Sequence, residues 1–573
     1  MILKSLYDYA QIAKDTLPKE GMEWKEIEFV IVIDREGKFV RFESRRINKK
    51  KCASFLVAKT VARTSAPNPN ILWDNGRYVF GLGEKDQKHH AMFLDVIEGI
   101  RKKHPDDPAI SALSKFYGRT KEQRQADFEK DPLFATVMEG LKSNFSFRLQ
   151  EDTRLIAEKN ELFDDMLEQW DDELPMGRCL VTGEYGPIVR TTTPTPLPDN
   201  SPMAALVAFQ VKSGYDSYGK SQAFNSPISV KAESAISAVL KKFLGKESKN
   251  KSRVGNRMYL YWGSKNSKTD HEVEEGLQLF MNLPDKNEED PDRNVNQVVK
   301  VLKGIYSGEI ATTLSDRFHI LGLAPNTGRI AVVFWQDSAL KDFAGKLLLH
   351  FDDMEIADYR KPDKRKPYFG VYSMISAVTL GGKPSDALPN LIDETVKSIM
   401  YGSQYPVQLL TGCIQRIRAE LTDMPVSIQR AAILKACINR RTRNNNQHKQ
   451  LEIMLDKTND NAGYLCGRLT AVLEKIQEDV HSGDSIRTRY MGAASATPAT
   501  VFPAMLNLSL HHAEKLDPKE EGGLRRWYEG LKQEIINKLP NGEFPAHLDL
   551  NDQGRFFVGY YQQRADLYTK KEK

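Results

Sequence analysis

The clearest β-structure in this sequence lies in residues 27 to 42. It begins with Ile27-Glu-Phe-Val-Ile-Val-Ile33, turns through Asp34-Arg-Glu-Gly37 and returns through Lys38-Phe-Val-Arg-Phe42. Two runs rich in β-branched and aromatic residues around a short glycine-containing turn predict an antiparallel hairpin. We therefore expect antiparallel strands in the N-terminal region.

The hairpin overlaps a basic segment. From Arg35 to Arg63, ten Lys and Arg residues stand against Glu36 and Glu43, a formal charge of +8. This segment leads into Arg63-Thr-Ser-Ala-Pro-Asn-Pro-Asn-Ile-Leu-Trp-Asp-Asn75. Cations neutralise phosphates and carboxamides can bond to base edges, so the pattern suits nucleic acid. The structural alternative is a solvated hairpin followed by a turn-rich connection.

Length and composition indicate a multidomain globular protein. The chain has 573 residues, 40% of them hydrophobic and 28% charged, and its net charge is only +5. The five cysteines form no CxxC pair, which argues against a disulfide framework and a typical zinc module. The start of the chain lacks the order of a signal peptide, and no run is apolar enough for a membrane helix. We expect a cytoplasmic protein.

The predicted elements give an α+β fold class. A short strand at 79–83 precedes a helical region from about 89 to 170, and strand character returns at 179–182 and 205–211. A helix at 230–244 opens a second α+β stretch, with strands at 258–262, 317–323 and 329–335 and helices at 294–306 and 338–351. From about 385 the chain is almost wholly helical, with helices at 389–401, 405–421, 426–440, 498–516, 523–538 and 551–569 and an apolar stripe at 465–476.

Three domains follow from this order. Residues 1–230 form a mixed α/β region with antiparallel strands and a helical insertion at about 86–175, and residues 231–365 form an α+β module. Residues 366–573 form an all-α bundle. The acidic residues 284–291 read as a surface linker, and the basic, proline-bracketed residues 360–367 mark the second boundary.

One segment matches a phosphate-binding pattern. Gly214-Tyr-Asp-Ser-Tyr-Gly219-Lys220-Ser221 fits G-x4-G-K-S, the P-loop of nucleotide hydrolases. The P-loop mechanism needs a helix that starts at the Lys-Ser pair. Pro227 lies six residues after Ser221 and would limit such a helix to little more than one turn. The same residues suit a nucleic-acid loop, with Tyr215 and Tyr218 as stacking faces, Lys220 at a phosphate, and Gln222 and Asn225 at base edges. A purely structural turn is the third interpretation.

Other candidate sites are weaker. The pairs His89-His90 and His511-His512 have no metal-site context, because neighbouring helical side chains diverge. A second basic tract runs from Arg416 to Lys449 with a charge of +6 and includes Asn439-Arg-Arg-Thr-Arg-Asn-Asn-Asn446. We find no catalytic set, which leaves a nucleic-acid-binding subunit, a P-loop hydrolase or a protein-binding scaffold.

Several segments together resemble one known family. In chain order they are Leu6-Tyr-Asp-Tyr9, Val32-Ile-Asp34, Arg63-Thr-Ser65, Pro69-Asn-Ile-Leu-Trp-Asp-Asn75, Cys179-Leu-Val-Thr-Gly-Glu184, Ser217-Tyr-Gly-Lys-Ser-Gln222, Leu321-Gly-Leu-Ala-Pro-Asn326, Arg489-Tyr-Met-Gly-Ala-Ala-Ser-Ala-Thr-Pro498, Phe544-Pro-Ala-His547 and Gly559-Tyr-Tyr-Gln562. The chain resembles the large (signature) subunit of the type I-C CRISPR Cascade complex over nearly its full length.

The resemblance implies a non-enzymatic role without cofactor or metal. Such subunits recognise the protospacer-adjacent motif in double-stranded target DNA, help to separate the strands and support the displaced strand. Base pairing with the guide reads the remaining sequence. The implied partners are the DNA, CRISPR RNA held by backbone subunits, other Cascade subunits including the small subunit, and a recruited helicase-nuclease.

Residue chemistry together with these motif blocks selects the candidate DNA-binding residues. Asn68, Asn70, Asn75, Lys220 and Gln222 are expected beside the motif, and Arg63, Thr64 and Ser65 are expected to position the backbone. The full set also contains Tyr218, Asn225, Lys49, Lys50, Lys51, Arg440, Arg441 and Arg443. Trp73 reads as a core anchor. The family also implies an internal start that yields the small subunit. Met454 is favoured for it, on the interpretation that a start at Met424 or Met491 would cut through or discard the apolar stripe at 465–476.

Overall fold

The computed structural model describes residues 1–48, 51–61, 67–83, 86–164, 174–202, 204–209, 214, 219–282, 291–360, 368–420, 424–443, 449–480, 486–516 and 523–569. The chain divides into two compact units. The first comprises Met1 and residues 3–195 and 205–242, and the second comprises Ile2 and residues 196–204 and 243–573.

The first unit is a mixed α/β structure. Its described helices and strands are α1 (Ile2–Ile12), β1 (Met22–Glu26), β2 (Phe29–Ile33), β3 (Phe39–Ser44), β4 (Arg46–Asn48), β5 (Lys51–Cys52), β6 (Ser54–Ala58), β7 (Trp73–Asn75), α2 (Gly76–Phe80), α3 (Gln87–Lys103), α4 (Pro108–Gly118), α5 (Lys121–Phe128), α6 (Phe134–Glu139), β8 (Asn144–Leu149), β9 (Met176–Arg178), β10 (Tyr185–Pro187) and α7 (Val230–Leu244). The four-stranded sheet has the order β3-β2-β8-β7.

The predicted hairpin is confirmed as β2 and β3, which pair antiparallel. Every residue of β2 is buried, because helices and loops cover both faces of the sheet. Gly37 closes the turn at φ +73°, where a Cβ atom would lie 2.5 Å from the backbone nitrogen of Phe116. The turn therefore needs glycine for its conformation and for the close approach of α4.

The prediction that helix continues from 89 to 170 is wrong at β8, which pairs parallel to β2. In Asn144-Phe-Ser-Phe-Arg-Leu149 polar residues alternate with apolar ones, although the strand is buried. Ser146 Oγ donates to the carbonyl of Leu72 at 3.1 Å, and Arg148 pairs with Glu43. Tertiary partners thus satisfy polar groups that otherwise disfavour an interior strand.

Three further strand predictions are wrong. Residues 76–80 form α2 instead of leading into a strand, because Asn75 caps the helix and Gly81 ends it at φ +57°. Residues 179–182 are the turn between β9 and β10, and the described residues 205–209 contain no strand. The helix predicted at 230–244 is confirmed with the same bounds.

The second unit begins with an antiparallel sheet of order β11-β12-β13-β14. Its described elements are β11 (Lys251–Val254), β12 (Arg257–Gly263), α8 (Lys268–Met281), α9 (Pro291–Ser307), β13 (Arg317–Asn326), β14 (Arg329–Ala339), α10 (Leu340–Met354), α11 (Val371–Val378), α12 (Pro389–Tyr401), α13 (Val407–Ala419), α14 (Ile428–Thr442), α15 (Ala462–Glu478), α16 (Ile486–Ala494), α17 (Pro498–Ala513), α18 (Gly523–Ile536) and α19 (Leu550–Tyr568). The predicted strands and helices of this region are confirmed, and β11, α8, α11 and α16 are additional elements.

The C-terminal helices pack around α15 and α19. Gly467 allows their closest approach, because a Cβ atom there would lie only 1.9 Å from the carbonyl oxygen of Phe556. One hydrophobic core joins these helices with the β11–β14 sheet, from Tyr259 to Tyr561. The predicted fold class, α+β with a helical C-terminal region, is confirmed. The linker at 284–291 and most of the boundary at 360–367 lie outside the described residues, and the three-domain division stays a prediction.

Candidate nucleic-acid interface

The loop at residues 67–75 is fastened to the interior of the first unit. Trp73 is buried, and its indole Nε1 donates to a carbonyl of β6 at 3.0 Å. The buried Asp74 carboxylate accepts the backbone N–H groups of Asn70 at 2.9 Å and Asn75 at 2.8 Å. Trp73 is therefore a core anchor, and these contacts fix the backbone of the loop.

The three asparagines of this loop have different surroundings. Asn70 is only 2% exposed, and its Oδ1 accepts the backbone N–H of Val61 at 3.0 Å. Asn75 is half-buried and caps α2, with Oδ1 accepting from Arg77 N at 3.1 Å. Asn68 is exposed. The expectation that Asn70 contacts DNA directly is therefore corrected: its carboxamide faces the interior and supports the loop that presents Asn68.

Much of the basic segment before the loop is neutralised within the first unit. Arg45 lies 2.6 Å from Glu43, and Arg46 lies 2.6 Å from Glu28. Lys51 is half-buried and pairs with Asn48 in the β4–β5 ribbon. The remaining candidates of this half, namely Lys49, Lys50, Arg63, Thr64, Ser65 and Tyr218, lie outside the described residues.

Two segments that are distant in sequence pair in the first unit. Backbone N–H groups of Leu180 and Val189 donate to the carbonyls of Pro227 and Ile228 at 2.9 and 3.0 Å. The segment that carries the motif block at 179–184 thus pairs with residues that follow the block at 217–222, of which residues 219–222 are described. We call residues 176–190 and 219–231 the ribbon–loop surface.

The polar side chains of the ribbon–loop surface are arranged by local contacts. Gln222 has φ +51°, and its Oε1 accepts from the Nε of Arg190 at 2.7 Å. Asn225 Nδ2 donates to the carbonyls of Lys220 and Gln222 at 3.1 and 3.0 Å. The Lys220 side chain is exposed. Asn225 therefore shapes the loop, and Lys220 and Arg190 place positive charge at its surface.

A thiol lies beneath this surface. Cys179 is buried, and burial by itself raises the pKa of a thiol. Hydrogen bonds with Ser229 and Thr182 outweigh that effect and lower the pKa of Cys179 to about 7. These contacts join the turn between β9 and β10 to Ser229 in the segment 219–231. The thiol thereby helps to hold the two segments together.

The P-loop interpretation lacks its structural context. Residues 204–209, the nearest described segment before Gly214, form no strand, and a 3-10 helix of four residues, Gln222–Asn225, follows the Lys-Ser pair. The chain then runs to Ser229, which bridges to Ile188, before α7 begins. A P-loop places phosphate at the N-terminus of an α-helix, and no α-helix begins at Lys220 or Ser221.

The second basic tract belongs largely to the interior. Arg440 is buried, donates to the carbonyls of Ser398 and Ser403 at 2.6 Å, and pairs with Asp353. Arg443 is exposed and pairs with the same carboxylate. The expectation that Arg440 binds phosphate is corrected, because its guanidinium is enclosed by protein.

The other cations of the tract are also engaged within the second unit. Arg441 is half-buried and lies 3.4 Å from the carboxamide oxygen of Asn551. Hydrogen bonds from Arg430 lower the pKa of Glu420. Arg441 and Arg443 stay candidates from the sequence, but the geometry favours the ribbon–loop surface over this tract.

Three exposed residues of the ribbon–loop surface were not among the site residues predicted from the sequence. Arg178, Tyr185 and Arg190 are exposed around the turn at 179–184. Alternating side chains on both sides of Thr182-Gly183 were the available signal, because they are typical of a ribbon with one solvent face. The predicted strand at 179–182 covers the turn between β9 and β10, so the alternation on its two sides was not recognised as a ribbon.

Within the described parts of the chain, no group of His, Cys, Asp and Glu could hold a metal ion. The described helices also include none with the length and apolar character needed to cross a bilayer.

Comparison with known proteins agrees with the resemblance of the motif blocks. No curated protein matches the chain. A family model described as CRISPR-associated protein (Cas_Csd1) matches residues 3–568, which is nearly the whole chain. The chain therefore belongs to the CRISPR-associated Csd1 family, that of the type I-C large subunit.

Proposed function

We propose that this chain is the non-catalytic large subunit of a CRISPR RNA-guided DNA surveillance complex. In this role it recognises the protospacer-adjacent motif in duplex DNA, aids strand separation beside it and supports the displaced strand. Its partners are the target DNA, CRISPR RNA through the backbone subunits, other Cascade subunits including the small subunit, and a recruited helicase-nuclease.

The observation that carries this proposal is the ribbon–loop surface. Its described residues 176–190 and 219–231 contain Arg178, Arg190, Lys220 and Lys231 against one acidic residue, Glu184. Glu184 lies 3.5 Å from Lys231. A local excess of cations beside Gln222 provides phosphate attraction and a base-edge donor and acceptor on one face. Exposed Asn68 is a second candidate contact in the same unit.

The absence of P-loop context around Lys220 favours DNA binding over nucleotide hydrolysis. In a DNA interface, Lys220 acts as a phosphate contact and needs no helix N-terminus. In a hydrolase an α-helix would have to begin at the Lys-Ser pair, whereas residues 222–225 form a 3-10 helix.

Lys220→Ala tests the proposal in the assembled complex. We expect motif-dependent DNA affinity to fall severalfold, and the dependence of binding on salt to lose about one unit of slope, as for one phosphate contact. Lys383→Ala removes an exposed lysine of the second unit and serves as the matched control. Unchanged DNA binding by Lys220→Ala, or ATP binding that depends on Lys220, would contradict the proposal.

A further inference from the structure

The β9–β10 ribbon has one face formed entirely by projecting side chains. Tyr185 is paired with Arg178 and Pro187 with Met176 in the antiparallel register. Directly opposed residues point to the same face, so these four side chains lie together. Tyr185 is 69% exposed and Met176 is 56% exposed. The first unit therefore presents an aromatic ring, a guanidinium and a flexible apolar chain to solvent side by side.

The other face of the ribbon carries no side chains at the paired positions. Gly177 is paired with Gly186. A Cβ atom at Gly177 would lie 3.0 Å from the side chain of Ile188, so the ribbon backbone lies close against the chain that follows it. This face of the ribbon is therefore supported at Gly177, whereas nothing lies within 4 Å of the Cβ position of Gly186.

The guanidinium of Arg178 is held in place beside the ring. Its Nη1 donates to the carbonyl of Gly183 at 2.9 Å, at the turn that ends the ribbon. Leu180, in the same turn, is 58% exposed. A fixed cation next to an exposed aromatic ring is the combination used to bind unpaired nucleotides, with the base stacked on the ring and the phosphate at the cation.

The adjoining loop decides between nucleic acid and a protein partner. An exposed Tyr, Met and Leu would also suit a protein interface. Here the ribbon continues directly into Arg190, which bonds to Gln222 of the loop carrying Lys220. The positive charge of this continuous surface complements a polyanion.

We propose that the Met176, Arg178 and Tyr185 face of the ribbon binds an unpaired nucleotide of the target DNA next to the recognised motif. The base stacks on Tyr185, and Arg178 contacts its phosphate. The stacking proposal rests on the proposed function and extends it to DNA whose strands have separated. It adds the ligand class, an unpaired nucleotide, and the residues that bind it.

The experiment compares two DNA substrates with the assembled complex. The first is a motif-containing duplex that does not match the guide and stays paired. The second is a matching target, in which permanganate reactivity of thymines beside the motif reports unpaired bases that are not stacked. Both assays use the wild type and the variants Tyr185→Ala, Tyr185→Phe and Arg178→Ala. Tyr306→Ala, at an exposed tyrosine of the second unit, is the control.

We expect Tyr185→Ala to bind the paired duplex within twofold of the wild type. On the matching target it should lose about tenfold in affinity, as for one stacked base, and a thymine beside the motif should gain permanganate reactivity. Tyr185→Phe keeps the ring and should behave as the wild type. Arg178→Ala should weaken binding to the matching target and lower its salt dependence.

Equal behaviour of Tyr185→Ala and the wild type on the matching target would overturn the stacking proposal, as would a Tyr185→Phe variant that loses as much as Tyr185→Ala. In both cases motif-dependent binding to the paired duplex would persist and the proposed function would stand. If even the wild-type complex bound the duplex without regard to the motif, the proposed function would fail and the stacking proposal with it.

Discussion

Lys220 and Arg440 show how the surroundings of a cation decide its role. Lys220 extends from an exposed loop whose backbone is held by Asn225. Arg440 is enclosed, with its guanidinium 4.0 Å from the ring centre of Tyr405 and paired with Asp353. A guanidinium paired in the interior belongs to the fold, because its removal leaves buried partner groups uncompensated, whereas an exposed ammonium group is available to phosphate.

Asn68 and Asn70 provide a prediction within one loop. Asn68→Ala should lower motif-dependent DNA affinity in the assembled complex and reduce stability less than Asn70→Ala, because the Asn68 side chain is the more exposed of the two. Asn70→Ala should reduce the free energy of unfolding by about 1–2 kcal/mol, since it leaves the buried N–H of Val61 without its acceptor. Denaturant unfolding and DNA titration of both variants separate the two effects. Equal loss of stability in both variants would contradict the assignment.

His350 provides a pH prediction. The ring is buried between Tyr405 Oη at 2.6 Å and the carbonyl of Phe369 at 2.7 Å, and burial lowers its pKa to about 4. The unfolded chain takes up this proton near pH 6.5, so the neutral ring's contribution is complete above that pH. It is lost as the pH falls toward 4, by at most roughly 3 kcal/mol.

Denaturant unfolding of the wild type and His350→Gln between pH 7 and pH 4 measures this contribution. The free energies of unfolding of the two proteins should converge as the pH falls, because only the wild type loses the contribution of the neutral His350 ring. A constant difference between the two proteins over this range would contradict the assignment of a neutral, buried ring.

At the scale of elements, the α15–α19 contact depends on glycine. Gly467→Ala should lower the free energy of unfolding by about 2–4 kcal/mol, because the added methyl group meets the carbonyl of Phe556. Gly530→Ala in α18 is the matched control, since nothing lies within 4 Å of its Cβ position. That control should be neutral or slightly stabilising, because Ala favours helix over Gly. Equal effects of both substitutions would contradict the close helix contact.

Elements with strong local signals could be predicted from the sequence, and those that depend on tertiary partners could not. The β2–β3 hairpin, α7 and α12 have apolar periodicity and clear boundaries, and their predictions are confirmed. The strand β8 was missed because its polar residues are acceptable only with the partners supplied by Leu72 and Glu43.

Only part of the candidate site could be predicted from the sequence, because the rest depends on contacts that form in the folded chain. Carboxamides and cations in a turn-rich segment can be read from the sequence, and Lys220 and Asn68 are indeed exposed. The sequence shows neither that Asn70 and Arg440 face inward nor that 179–184 turns back onto 227–228, because burial and long-range pairing arise only in the folded chain.

At the scale of the whole molecule, the family resemblance implies a second product from an internal start, for which we favour Met454. Met454 is exposed and precedes α15, so a product covering 454–573 keeps every described helix from α15 to α19. Changing the Met454 codon to one that cannot initiate should remove the short product and leave the full-length chain. Immunoblotting with an antibody to the C-terminal residues measures both. Persistence of the short product would contradict initiation at Met454.

The proposed function requires that the first unit holds the DNA through the ribbon–loop surface and the loop around Asn68. Crosslinking of the assembled complex to a motif-containing duplex, with the crosslinked peptides identified by mass spectrometry, tests it most directly. We expect crosslinks within residues 63–75 and 215–225, which should be lost when the motif is altered. Crosslinks confined to the tract at 416–449, or unchanged by altering the motif, would contradict the claim.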